Sequence, residues 1–381
     1  LFTYLTGMLK AGMTASTRLY DIPWQVPDGS GTVYRPQNAT KEEHGPLTLR
    51  QALRESLNLP ALQVTRTVGI DAIIDTIHQL GIQRDWDRSR LGLSFGLGAG
   101  EMRLIDMASA YQVIANMGVR VEPTMIYKIL DPHGKVVRDW SKPEGRQVID
   151  PRQAWIMADI LKDMTNPQAS FVFGPWTNIG RTAALKTGTT DDQKDVLAIG
   201  WVPQRFTAVW MGNSDNTDMR GITSAMGPGV LWQDYMKTLV GGLPATWYEK
   251  PAGIVTRTVC VNPNATGGNG SGMLPGPFCP GYKMTENYVE GTEPKTNDAD
   301  FFQSCGIRLI APFSDWQVYY NRWASEAVSG ARSYGRFNWN ICGFAPKPSA
   351  SPSGGPSNPT STQPPRNTPR PTSTPRPTKK P

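Results

Sequence analysis

The chain is 381 residues long, 39% hydrophobic and 19% charged, which suffices for one large domain plus a smaller one with ample core. Its net charge of +7 gathers at the end, where Lys347, Arg366, Arg370, Arg376, Lys379 and Lys380 stand without any acidic residue. The remainder is close to neutral, so the positive balance gives no reason to expect nucleic acid as a partner.

In chain order, "LFTYLTGMLKAG" opens in helical period, with Leu1, Leu5, Met8 and Leu9 on one face and no capping residue before them. A helix without a start signal reads as a fragment of a longer protein, with any membrane anchor upstream. The stretch from Asp21 to Pro46 is rich in Pro, Gly and Asn and reads as a long loop. "LTLRQALRES", from Leu47, is a short amphipathic helix with Thr48 as its cap. Pro60 suits the first turn of a further helix running towards Val68, which leaves Ser56 to Asn58 at a helix–helix junction. "GIDAIIDTIHQLGI" is another short helix, closed by Gly81.

A glycine-rich loop then enters a helix from about Glu101 to Met117. It is not a dinucleotide loop, because Glu101 stands where the last glycine of Gly-x-Gly-x-x-Gly would be, and close packing explains Gly96 and Gly98 better. "RQAWIMADILKDMT" is helical. "RTAALKTG", "VLAIGWVP" and "FTAVWMGN" are rich in β-branched and aromatic residues and separated by short polar turns, the pattern of an antiparallel meander. "LWQDYMKTLVGGLP" reads as a helix covering that sheet, "PAGIVTRTVC" as one more strand, and "FSDWQVYYNRWASEAV" as a late helix.

Cys260, Cys279, Cys305 and Cys342 never form Cys-x-x-Cys, and His44, His78 and His133 are scattered, so no metal site or cofactor is expected. An even number of cysteines in one loop-rich segment points to up to two disulfides and an oxidising compartment. Of the three pairings open to them, nearest neighbours are preferred. From Pro346 to Pro381 the composition cannot bury a core, and an extended disordered tail is expected. A solvated tail is its plainer reading; contact with an anionic wall polymer is the sharper one.

Taken alone, Lys186-Thr187-Gly188 is a strand end and Ser56-x-Asn58 a polar turn after a helix. Their neighbours change that. The set resembles the penicillin-binding transpeptidases, whose motifs are Ser-x-x-Lys, Ser-x-Asn and Lys-Thr-Gly. "LTLRQALRESLNLPAL" is similar to the second motif segment and "GRTAALKTGTTDDQKDVLAIGWVPQRFTAVWMGNSDN" to the third. "YRPQN", "GLGAGEMRLIDMASAYQVIANMG" and "VEGTEP" resemble landmarks of the family without chemistry of their own. The resemblance runs from about Leu1 to Thr292 and is closest to the large bifunctional wall-synthesis enzymes. Two departures stand out. Val196, Leu197 and Ala198 replace the usual aromatic residues, a packing change. No serine has a lysine three positions later, and in relatives that lysine would directly precede Leu1.

The resemblance implies a mixed α/β fold, an antiparallel sheet flanked by helices with its first two strands missing here. It implies acyl transfer from a D-alanyl-D-alanine terminus through a serine upstream of the chain, with β-lactams and peptidoglycan stem peptides as ligands. Lys186 would lower the pKa of the absent lysine and attract the substrate carboxylate. Thr187 and Thr189 would offer hydroxyls, and the N–H near Thr189 an oxyanion donor. Gly188 would leave room for substrate, Ser56 would relay a proton to the leaving amine, and Asn58 would hold the substrate amide. The implied division is a truncated transpeptidase domain over 1–244, a cysteine-bearing extension over 245–345 and the tail over 346–381. The alternatives are a D,D-carboxypeptidase or a non-catalytic wall-binding module, and an extracytoplasmic location follows from either enzyme.

Overall fold

The computed structural model describes residues 1–27, 33–170, 172–190, 193–261, 271–276, 279, 283–300, 302–303, 306–307 and 309–329. The tail, Cys305 and Cys342, and the expectations placed on them, lie outside these residues.

Helix α1 (Phe2–Lys10) is sunk deeper than its one apolar face announces: six consecutive residues, Thr3 to Met8, are buried. It packs against α3 (Asn58–Val68) and α4 (Ile70–Gln79). Gly7 allows that depth, since a Cβ there would stand 2.7 Å from Met13 Sδ. Helix α2 (Leu49–Arg54) starts at the expected cap. The Gln51 N–H donates to Thr48 Oγ1, and Gln51 Oε1 accepts the Thr48 N–H at 3.0 Å. All six of its residues are buried. Helices α5 (Leu104–Ala115), α6 (Pro151–Leu161), the single turn α7 (Gly174–Thr177) and α8 (Val230–Leu239) complete the surround.

The region expected to be one long loop is organised by pairing at its ends. Strand β1 (Arg18–Asp21) runs antiparallel to β2 (Gly45–Thr48), and Val26–Pro27 pairs with Val33–Tyr34 inside the excursion. Strands that hold Pro46 opposite Tyr20 and Gly45 opposite Asp21 carry no period-two apolar signal, so the sequence hides them. Likewise, no pattern announces the exposed hairpin of β3 (Lys128–Leu130) and β4 (Val136–Asp139). The glycine loop contains a 3₁₀ turn over Leu93–Leu97, and the helix after it begins at Leu104 rather than Glu101. A Cβ on Gly96 would fall 1.7 Å from Thr65 Oγ1, so close packing does require glycine there.

The meander forms as expected: β5 (Ala184–Thr189), β6 (Asp195–Val202) and β7 (Arg205–Gly212) make a three-stranded antiparallel sheet in the order β7-β6-β5. Its register sets Ile199 opposite both Lys186 and Ala208. Helices α5, α6 and α8 pack on it. Trp232 of α8 reaches the backbone at Gly200, where a Cβ would be 2.7 Å from its ring. Among the described residues strand β5 is therefore an edge strand, and what lies beside that edge is the question for function.

The segment from 245 onward contains a ribbon of β8 (Ile254–Cys260) and β9 (Lys283–Val289), with Cys260 bonded to Cys279. Only β8 was visible in the pattern. Helix α9 (Gln317–Ser329) follows. With the turn before it, α9 brings Trp316, Tyr320 and Trp323 against Tyr20, Ile22, Trp24, Leu59 and Leu62 in a second core. The boundary we place at 244/245 falls in the loop between α8 and β8, and Leu1–Ala345 is one compact unit.

Candidate active site

The Thr48 cap and the apolar burial of α2 hold the chain rigid up to Arg54; it then turns sharply. Ser56 takes φ +56°, a left-handed conformation that costs a non-glycine residue about 1–2 kcal/mol and that the surrounding packing must hold in place. The strained residue directs its hydroxyl at the sheet edge: Lys186 Nζ donates to Ser56 Oγ at 2.7 Å and to the Thr187 carbonyl at 2.7 Å. Ser56 and Lys186 are 130 residues apart in sequence. Two residues on, Asn58 opens α3. Its Nδ2 donates to the Gln37 carbonyl, and its own N–H donates to Asn38 Oδ1, both at 2.8 Å.

These groups border one cavity of about 220 Å³. Ser56, Asn58, Lys186, Thr187, Gly188 and Thr189 all line it. All the residues expected at the site are thus brought to one crevice, the helix junction on one side and the edge of β5 on the other. Lys186 and Thr187 are buried, and Thr189 is exposed at the mouth. On the protein side a Cβ at Gly188 would meet only Leu197, at an ordinary 3.7 Å, so the room that glycine leaves lies towards the cavity.

Burial of the ammonium lowers the Lys186 pKa to about 8. Leu1 and Phe2, at the start of α1, line the same cavity. Beside Ser56, Glu55 accepts from Arg54 Nε at 2.8 Å, and burial raises its pKa. Its second oxygen is buried with no partner among the described residues.

Sequence reasoning missed several neighbours. Gln37 and Asn38, the last two residues of "YRPQN", grip Asn58 and so act on the site. Tyr4 lines the cavity with a buried hydroxyl that has no partner among the described residues. Leu197 lines it as well, so that departure alters the crevice wall and is more than packing. Signals were present: "YRPQN" resembles a family landmark without chemistry of its own, Leu197 reads as a packing change, and Tyr4 lies in the helix that leads to the site.

A helix-flanked antiparallel sheet whose edge strand carries Lys-Thr-Gly-Thr towards a Ser-x-Asn turn defines the penicillin-binding class of mixed α/β fold. The chain belongs to the penicillin binding protein transpeptidase domain family, which matches residues 1–225. It is 34% identical over 266 residues to penicillin-binding protein 1A of Neisseria lactamica, covering 67% of this chain and 32% of that protein. The chain therefore spans about a third of the length of that relative. Among solved structures it is similar to penicillin-binding protein 1A from Haemophilus influenzae, with a TM-score of 0.67 at 24% identity, over 78% of this chain and 48% of that one. It is also similar to the PonA1 protein from Mycobacterium tuberculosis in complex with penicillin V. There the TM-score is 0.58 at 25% identity, over 66% of this chain and 70% of that one. Among the described residues no helix is long and apolar enough to cross a membrane.

Proposed function

We propose that the chain supplies the substrate-holding wall of a serine-type D,D-transpeptidase that cross-links peptidoglycan stem peptides and takes β-lactams at the same crevice. The observation that carries this reading is the 2.7 Å bond from Lys186 Nζ to Ser56 Oγ at the border of a cavity, beside an edge strand of unoccupied register.

Among the described residues strand β5 pairs with β6 along one edge only, so an extended peptide can add along the other, with backbone bonds for affinity. A terminal carboxylate then meets the Lys186 ammonium and the hydroxyls of Thr187 and Thr189. Ser56, already an acceptor from Lys186, passes a proton towards the leaving amine, and Asn58 holds the substrate amide. The N–H near Thr189 is the oxyanion donor; one such donor is worth roughly 3 kcal/mol in a barrier.

Of the 381 residues, no serine stands three before a lysine. We place the nucleophilic serine and its lysine in the turn before Leu1 of the full-length protein, where the chain enters the cavity that Leu1 and Lys186 line. A lysine there would stand near the Lys186 ammonium, a like charge that lowers the pKa of a neighbouring amine towards that of a usable base. Linkage of the domain to a membrane anchor and its extracytoplasmic location are part of the same proposal; the Cys260–Cys279 disulfide favours the latter.

The test is titration of the chain with an acyl-D-alanyl-D-alanine peptide and with its C-terminal amide. The acid binds, the amide binds at least about tenfold more weakly, and Lys186→Ala abolishes the difference. Equal binding of acid and amide overturns the assignment. A fluorescent penicillin labels the full-length protein and leaves the 381-residue chain unlabelled; labelling of the chain refutes the upstream serine.

A further inference from the structure

Asp21 is fully buried, yet no lysine or arginine pairs with it among the described residues. A buried carboxylate is costly unless each oxygen is satisfied. Here Oδ2 accepts the His44 N–H at 2.9 Å and lies 2.6 Å from His44 Nδ1, while Oδ1 accepts from Asn38 Nδ2 at 2.7 Å. His44 and Asn38 are themselves buried.

The consequence falls on Asn38. A carboxamide offers two donor hydrogens and one acceptor oxygen, and it is nearly symmetric about its flip. Nδ2 donates one hydrogen to Asp21 and the other to the Glu42 carbonyl, at 2.8 Å. The Asp21 carboxylate and the Glu42 carbonyl both accept at that end of the amide, so together they exclude the flipped orientation. Asn38 Oδ1 must then face α3, where it accepts the N–H of Asn58 at 2.8 Å and that of Leu59 at 3.4 Å. Leu57, at the cap position of α3, offers no side-chain cap of its own. The first N–H groups of a helix need an outside acceptor, and α3 takes one from twenty residues upstream. The preceding residue, Gln37, receives Asn58 Nδ2 on its carbonyl.

We infer that Asp21 and Asn38 are positioning residues of the crevice: Asp21, with the Glu42 carbonyl, fixes the orientation of the Asn38 carboxamide, and Asn38 fixes Asn58 at the head of α3. The inference deepens the proposed substrate reading and rests on it for the role of Asn58. It gives the "YRPQN" stretch a task, to hold one wall of the crevice in register with the edge of β5. Strands β1 and β2 exist in part to bring Asp21 and His44 to the Asn38 amide, since Asp21 is the last residue of β1 and His44 immediately precedes β2.

The test reverses the polarity of one hydrogen bond. Asn38→Asp keeps the acceptor for Asn58 but sets two carboxylates face to face. The double variant Asp21→Asn with Asn38→Asp restores the bond with donor and acceptor exchanged. In the single variant the Asn58 side-chain amide resonances shift, and affinity for an acyl-D-alanyl-D-alanine peptide falls about tenfold. In the double variant the resonances and the affinity recover in part, because the bond to position 21 is restored while the Glu42 carbonyl still lacks its donor.

Unchanged Asn58 resonances in Asn38→Asp overturn the inference. So does a double variant that regains thermal stability while the resonances and affinity stay displaced, because the pair then serves stability alone. If the unsubstituted chain fails to bind the peptide, the substrate reading falls, and the resonance shifts still decide whether Asp21 and Asn38 position Asn58.

Discussion

Lys186 is a buried cation whose charge is cheap to lose. With its pKa brought down to about 8 by burial, it stays largely protonated at neutral pH and gives up its proton far more readily than an exposed lysine. Binding of a peptide carboxylate should hold steady up to about pH 8 and weaken as pH rises beyond it. Calorimetric titration across that range checks this, and Lys186→Ala should remove the dependence. The stability linkage has the opposite slope: above about pH 8 and up to the ordinary lysine range, the unfolded chain binds more protons, so this residue's contribution rises with pH. Ser56 carries strain of a different kind. Ser56→Gly and Ser56→Ala both delete the hydroxyl that Lys186 reaches, and they differ in the cost of φ +56°. The glycine variant should be the more stable by about 1 kcal/mol in urea unfolding.

At the scale of elements, the ribbon β8–β9 is tied to the helix that leads to Ser56. Arg50, in α2, donates from Nε and Nη2 to the two oxygens of Glu286 in β9, at 2.7 and 2.8 Å, and from Nη1 to Asp163 Oδ2 at 3.0 Å. It also donates to both the side chain and the carbonyl of Asp159 in α6, and Lys162 donates to Asp159 as well. Arg50, Asp159 and Glu286 are all buried, so removing any one leaves a buried charged partner without its hydrogen bonds. Glu286→Ala should cost about 3–5 kcal/mol in urea unfolding. Replacing the charged set together by apolar residues of similar volume should cost far less. Burial alone would raise the Asp159 pKa, but Arg50 and Lys162 outweigh it and bring it to about 2. Its contribution is therefore present above the ordinary aspartate value and is lost as pH falls towards 2, which acid unfolding of wild type and Arg50→Met would reveal. Where α2 starts, Thr48→Ala removes half of a capping box and should cost about 1 kcal/mol.

At the scale of the molecule, the segment after residue 244 is a second support for the crevice. Trp316 stacks on Trp24 at 4.3 Å between ring centroids, and Trp323 lies where any Cβ on Gly45 would be, 2.3 Å from that position. The excursion that carries Gln37 and Asn38 is thus pressed between α3 and the α9 region, while the ribbon braces α2 through Arg50. The Cys260–Cys279 disulfide closes a loop at the end of β8. Replacing both cysteines by serine should lower unfolding free energy by about 3 kcal/mol in the chain-entropy picture. If the ribbon braces α2, peptide affinity at the crevice should fall as well, which the same titration measures.

Local chemistry was readable wherever it acts over a few residues. The cap at Thr48, the junction from Ser56 to Asn58, the meander and the covering helix all follow from side-chain period and turn residues, because those signals need no distant partner. The motif residues were legible only through the resemblance of the segments around them, since alone each reads as a strand end or a polar turn. The sequence could not show that Arg50 is neutralised from β9 and α6, that Asp21 orients Asn38, or that β1 and β2 pair across a proline- and glycine-rich excursion. Each depends on groups between 17 and 236 residues away, brought close only when the core closes. Residue types fixed which chemistry the chain carries. The fold alone decided that the lysine at 186 and the serine at 56 share a hydrogen bond, because burial of α1 and α2 sets the distance between a helix turn and a sheet edge.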